Sequence, residues 1–245
     1  MEPSHYLPPS GQLSFILRAG ADCLPTPLNL RRWRFQSDPS CRLCGSSSPT
    51  TFHILSGCPE ALNQGRLTWR HDSVLQQIVK GVTKFLDKGE KAFADFPNLL
   101  ATSSPPSTIP PELCSTSCRP DLVVWSPDTD EIRILELTVC HNSISSIESA
   151  RKRKQDKQPY SELTSDLEMA GHTLFYDTIE IGSLGHYLKS SIQALASTIP
   201  NARRQDLTKL ITSLAKTAIG CSATIFHTRN SPIWEKSKPL YTPLF

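Results

Sequence analysis

Cys41, Cys44, His53 and Cys58 are spaced C-x2-C-x8-H-x4-C within "CRLCGSSSPTTFHILSGC", and no other feature constrains the chain as tightly. Three thiolates and one imidazole complete a tetrahedral shell for Zn²⁺, and the two-residue gap between the first cysteines is the turn that lets both sulfurs reach one ion. A closed four-ligand shell leaves no open position for chemistry. The expected role of this knuckle is therefore structural, with docking onto nucleic acid.

Charge distribution matters more here than total charge. Lys and Arg number 26 against 23 Asp and Glu, a formal charge of +3 that by itself implies no polyanion partner. The basic residues are bunched, however: "RRWR" at 31–34 lies just before the knuckle, and "RKRKQDK" at 151–157 lies just after a carboxylate motif described below. The opening segment has neither a basic n-region nor a long apolar stretch. Reduced thiols and an intracellular setting are expected, nuclear if the substrate is chromosomal DNA, with no membrane partner.

At 245 residues with 38% hydrophobic content, the chain can bury one sizeable core plus a satellite. Up to about residue 40 it reads as a short helix and an extended connector. Val74, Leu75, Ile78, Val79, Val82, Phe85 and Leu86 recur at helical spacing and predict an amphipathic helix over 73–86. A Pro- and Ser-rich loop over 101–120 is expected to flank the active face. "DLVVW" and "EIRILELTV", joined by "SPDTD", predict a hairpin. Helices over 143–157 and 161–170, a strand "TLFYDTIEI", and helices near 185–198 and 203–219 follow, with Gly220 as the stop of the last. The expected divisions are connector and knuckle at 1–70, an α/β domain at 71–230, and a tail at 231–245.

Because strand side chains alternate, Ile132, Ile134, Glu136 and Thr138 share one face, which sets Glu136 among apolar neighbours. An ionised carboxylate is costly there unless a cation or hydrogen-bond donors meet it. Asp121, at the head of the partner strand, is placed to lie across from it. Two such oxygen donors suit Mg²⁺. On the following helix Lys154 points nearly the same way as Ile147, toward the sheet, and Lys157 lies one turn later.

Pro120-Asp121 and Glu136 resemble the PD-(D/E)-x-K nuclease core, with Thr138 standing where that motif has its lysine. The chain as a whole resembles the C-terminal region of site-specific non-LTR retrotransposons, in which a cysteine-histidine knuckle precedes a restriction-like endonuclease whose lysine has moved onto a helix. The matching pieces are "LPTPLNLRRW" before the knuckle, the four knuckle ligands, Arg70-His71-Asp72, Arg119-Pro120-Asp121-Leu122, Glu136-Leu137-Thr138-Val139, "ARKRKQDK" with Tyr160, and "IEIGSLGHY". Gln158 and Pro159 separate Lys157 from Tyr160, which interrupts the family's Lys-Tyr pair. The resemblance implies a small mixed sheet flanked by helices, restriction-endonuclease-like, with an N-terminal zinc knuckle. It also implies Mg²⁺ held by Asp121, Glu136 and the Leu137 backbone carbonyl, with Lys154 and Lys157 as catalytic lysines. Arg70, His71, Arg119 and Arg151 are the expected nucleic-acid contacts, DNA is the expected partner, and element RNA is a second. The implied activity is DNA nicking that primes reverse transcription; the alternative is a zinc-containing nucleic-acid-binding fragment without catalysis. Asp72 carries a second reading, as the N-cap of a helix beginning at Ser73.

Overall fold

The hairpin that carries the two acids lies at the centre of a four-stranded sheet. The computed structural model describes residues 10–47, 49–95, 109, 113, 118–157 and 160–234. Strands β1 (Lys91–Ala94), β2 (Leu122–Ser126) and β3 (Glu131–Cys140) are antiparallel neighbours, and β4 (Thr173–Gly182) adds to β3 in parallel, giving the order β1-β2-β3-β4. The parallel step requires a crossover, supplied by α5 (Ile144–Lys157) and α6 (Ser161–Met169). The protein is thus a mixed α/β fold with helices on both faces of a mixed sheet.

One face of the sheet presents Leu122, Val124, Leu135, Leu137, Ile179 and Ile181 to α4 (Arg66–Val82), α7 (Lys189–Thr198) and α8 (Arg204–His227). The opposite face sets Val123, Ile132 and Ile134 against Leu163 and Leu167 of α6. Helices α4 and α8 approach closely at Gly81, where an added Cβ would lie 2.4 Å from a methyl of Leu210. Any larger residue there would force the Leu210 side chain to move.

The hairpin, the crossover helices and the fourth strand follow the sequence expectation closely. Three elements do not. Helix α4 begins at Arg66, after Gly65 at φ +74, so Asp72 lies inside the helix and caps nothing. Helix α8 runs through Gly220 to His227, because the residues beyond Gly220 are buried: Cys221, Ser222, Ile225 and Phe226 pack inward rather than ending the element. Strand β1 was not expected at all.

The connector and knuckle are joined to the sheet domain. Helix α1 (Ser10–Gly20) contributes Phe15 and Ala19, and the knuckle contributes Ile54 and Leu55, to one cluster with Trp69, Ile225 and Phe226. The boundary expected at 70/71 falls inside α4. Of the expected tail, residues 231–234 are docked: Trp234 meets Trp69 edge-on at 5.3 Å and lies under the Arg66 guanidinium at 5.0 Å. The expected tail beyond 234 and most of the 101–120 loop lie outside the described residues. No helix among the described residues is long and apolar enough to cross a membrane.

Candidate functional site

Register builds the acidic site. Leu122 pairs with Leu135 across the hairpin, so the residue before the first and the residue after the second stand side by side. The Asp121 N–H donates to Glu136 Oε1 at 3.0 Å, and the Leu137 N–H donates to Asp121 Oδ2 at 2.7 Å. Glu136 is 2% exposed. The cation that its burial demands comes from α5: Lys154 Nζ lies 2.5 Å from Glu136 Oε2. Ile147, Ala150, Arg151 and Lys154 form one helical stripe toward the sheet, while Lys152 and Arg153 are exposed. The Lys157 side chain lies outside the described residues.

The environment separates the two carboxyls. Burial raises Glu136 above the ordinary glutamate value, the charge of Asp121 adds to the rise, and Lys154 opposes it. Burial also works to raise Asp121, but hydrogen bonding and charge from His71, the Leu137 N–H and Lys154 hold it below its ordinary value. Asp121 is therefore the firmly ionised member. Tyr160 and Tyr176 overlook the pair, and burial together with the charges of Glu136 and Asp121 raises both phenols. The Tyr160 hydroxyl donates to the Arg119 carbonyl at 3.0 Å.

His71 faces inward from α4. Its Nδ1 lies 3.1 Å from Asp72 Oδ1, and its Nε2 lies 3.4 Å from Asp121 Oδ2 and 3.3 Å from the Leu137 carbonyl oxygen. Burial alone would lower its pKa, but Asp121 and Asp72 on either side push it up to about 10. Asp95, just after β1, adds a fourth carboxylate nearby. Its N–H donates to the Asp121 carbonyl at 3.2 Å, and its Oδ2 pairs with Arg119 Nε at 3.3 Å. Sequence reading missed Asp72 and Asp95 as members of the site. For Asp72 the signal was its adjacency to His71; Asp95 gave none.

Two of the expected nucleic-acid contacts need correction. Arg70 is 1% exposed, with Nη1 3.0 Å from Ser222 Oγ and Nη2 3.5 Å from the Val139 carbonyl. Burial lowers its pKa to about 10. A guanidinium sealed between α4, α8 and β3 packs the core and cannot reach a phosphate. Arg151 is engaged by β4: Nη2 pairs with Asp177 at 2.9 Å, and Nη1 with Glu180 at 3.3 Å and the Thr178 carbonyl at 2.8 Å. Arg119 is about half exposed. The exposed basic surface lies elsewhere, at Arg31, Arg32 and Arg34, interleaved with Trp33 and Phe35, which are 40% and 78% exposed.

The four knuckle residues converge. One ligand atom from each of Cys41, Cys44, His53 and Cys58 lies within 4.8 Å of all the others, and Cys44 Sγ is 3.4 Å from His53 Nε2. The first turn is closed by Gly45 N–H to the Cys41 carbonyl at 2.8 Å, with Gly45 at φ +74, and His53 opens a single π-helical turn, His53–Gly57. Burial pushes the Cys58 thiol up to about 11 and lowers His53. Buried thiols and a neutral imidazole gathered at one point are a donor set that fits zinc. This is the one such His, Cys, Asp and Glu group of three or more among the described residues.

No family model matches the chain, and no curated protein sequence matches it.

Proposed function

We propose that this chain is a metal-dependent DNA endonuclease of the restriction-like kind, with the C-terminal architecture of a non-LTR retrotransposon and a structural zinc in its knuckle. One observation carries the reading: two carboxylates from paired strands and a lysine amine from the next helix meet at one end of the sheet. The mixed sheet between helices supports the same assignment.

The oxygen set fits a divalent ion, since the Asp121 carboxylate, the Leu137 carbonyl and Glu136 lie together and Asp121 is held ionised. Such an ion, when bound, supplies polarisation of the scissile phosphate and acidifies a water. The remaining work falls to the chain. Lys154 holds its ammonium on Glu136, where it balances the buried charge and is positioned to meet negative charge developing on phosphate oxygens. Lys157, one turn on, is assigned to the adjacent phosphate. Arg119 and the run Arg31, Arg32 and Arg34 offer positive charge to the backbone of DNA, with RNA of the element as a second ligand.

A second reading, a zinc-containing nucleic-acid-binding module without cleavage, is favoured by the closed knuckle beside exposed Trp33 and Phe35, because aromatics between arginines stack on unpaired bases. Plasmid nicking with Mg²⁺ separates the two. Wild-type chain is expected to nick, and Asp121→Ala to lose at least about a hundredfold in rate, in keeping with removal of a principal electrostatic contributor. Equal nicking by both proteins would end the metal assignment.

A further inference from the structure

The tautomer of His71 carries information that the acid pair alone does not. Its Nδ1 faces a carboxylate oxygen of Asp72, which is 6% exposed, so Nδ1 carries the hydrogen and donates it. The other nitrogen, Nε2, faces Asp121 Oδ2 at 3.4 Å and the Leu137 carbonyl oxygen at 3.3 Å. A neutral imidazole would then point a lone pair at two oxygen lone pairs, which repels unless a positive centre lies between them. Nε2 stands from each of the two oxygens about as far as neighbouring ligands of one ion stand apart, and a carboxylate behind the imidazole is the usual support for a metal-bound histidine.

We propose that His71 is a direct metal ligand, through Nε2, alongside Asp121 and the Leu137 carbonyl, with Asp72 as the residue that orients it. This rests on the nuclease reading above and deepens it. Glu136 Oε1 accepts from the Asp121 N–H and Oε2 from Lys154, each keeping a further lone pair, while His71 approaches Asp121 and the Leu137 carbonyl from α4. A nitrogen in an otherwise oxygen-only shell selects against Mg²⁺ and toward Mn²⁺ or the later divalent ions of the first row.

The test is Mn²⁺ bound to the full, zinc-loaded chain and read by pulsed electron paramagnetic resonance. Wild type is expected to show nitrogen hyperfine coupling to the bound Mn²⁺. The coupling should vanish in His71→Gln and persist in Asp72→Asn, with each variant binding Mn²⁺ about tenfold or more weakly. His53→Cys, which keeps four zinc ligands but removes the knuckle nitrogen, should leave the coupling unchanged. Wild-type Mn²⁺ without nitrogen coupling overturns the proposal while leaving the metal-dependent nuclease reading intact. Disappearance of the coupling in His53→Cys instead places the ion in the knuckle and also overturns it. Absence of Mn²⁺ binding that depends on Asp121, tested with Asp121→Ala, overturns both.

Discussion

Arg70 and His71 are adjacent in the chain and face different worlds, one sealed against Ser222 and the other turned to the acids. If Arg70 is a packing residue, Arg70→Ala should destabilise the protein by more than about 2 kcal/mol, since it empties a buried site and leaves the Ser222 hydroxyl and the Val139 carbonyl without their partner. It should leave the salt dependence of DNA binding unchanged, whereas Arg34→Ala should reduce the log–log slope by about 0.9 or less for each phosphate it no longer neutralises. Thermal denaturation and binding across a salt series measure both. At this scale the sequence was legible where side-chain direction follows from period. Glu136 is buried because strands alternate, and Lys154 is turned inward because it lies seven residues after Ile147. It was illegible where direction depends on where an element starts. Asp72 kept a second reading as a cap because the charges of Arg66 and Arg70 hid the first two turns of α4, although both arginines are buried.

Among the elements, the sheet edge is tied by a polar network that the hydrophobic pattern could not reveal. Arg133 of β3, 5% exposed, pairs with Glu90 just before β1 and with Glu131, and donates to the Thr198 carbonyl at the end of α7 at 2.6 Å; Glu90 also accepts from Ser126 of β2 at 2.5 Å. Burial works to raise Glu90, but Ser126, the Asp87 N–H and Arg133 hold it below the ordinary glutamate value. A carboxyl depressed on folding adds stability above its unfolded value, near pH 4.5, and loses it as the pH falls through the lower folded value. Wild type should therefore lose stability more steeply than Glu90→Gln as the pH drops below about 4.5, and Glu90→Gln should already be about 3 kcal/mol less stable at neutral pH, where a buried guanidinium has lost a charge partner. Urea denaturation at several pH values checks both signs. Strand β1 follows Glu90 directly and is held by its ladder to β2 and by buried Phe93 and Ala94. Its four residues are too few to show alternation, which is why it escaped prediction.

For the molecule as a whole, the Cys/His knuckle proposed to hold zinc and the sheet domain are packed together, because Ile54 and Leu55 of the knuckle pack with Phe226 of α8 and Trp69 of α4. Removing zinc with a chelator should therefore lower the melting temperature of the entire chain in one cooperative transition, as should Cys58→Ser. Calorimetry showing an early knuckle transition followed by an unshifted main one would refute that coupling. Helix α4 joins the two regions without interruption, and this restricts how such a protein can be rearranged. A flexible tether tolerates additions and deletions; a rigid rod does not. One residue inserted between Trp69 and His71 would swing the imidazole through about 100° around the axis, away from the acids or the whole knuckle away from α8. Recombination between related genes at this point would have to keep the phase of the helix, so the cysteine-histidine module and the sheet domain travel as one heritable piece.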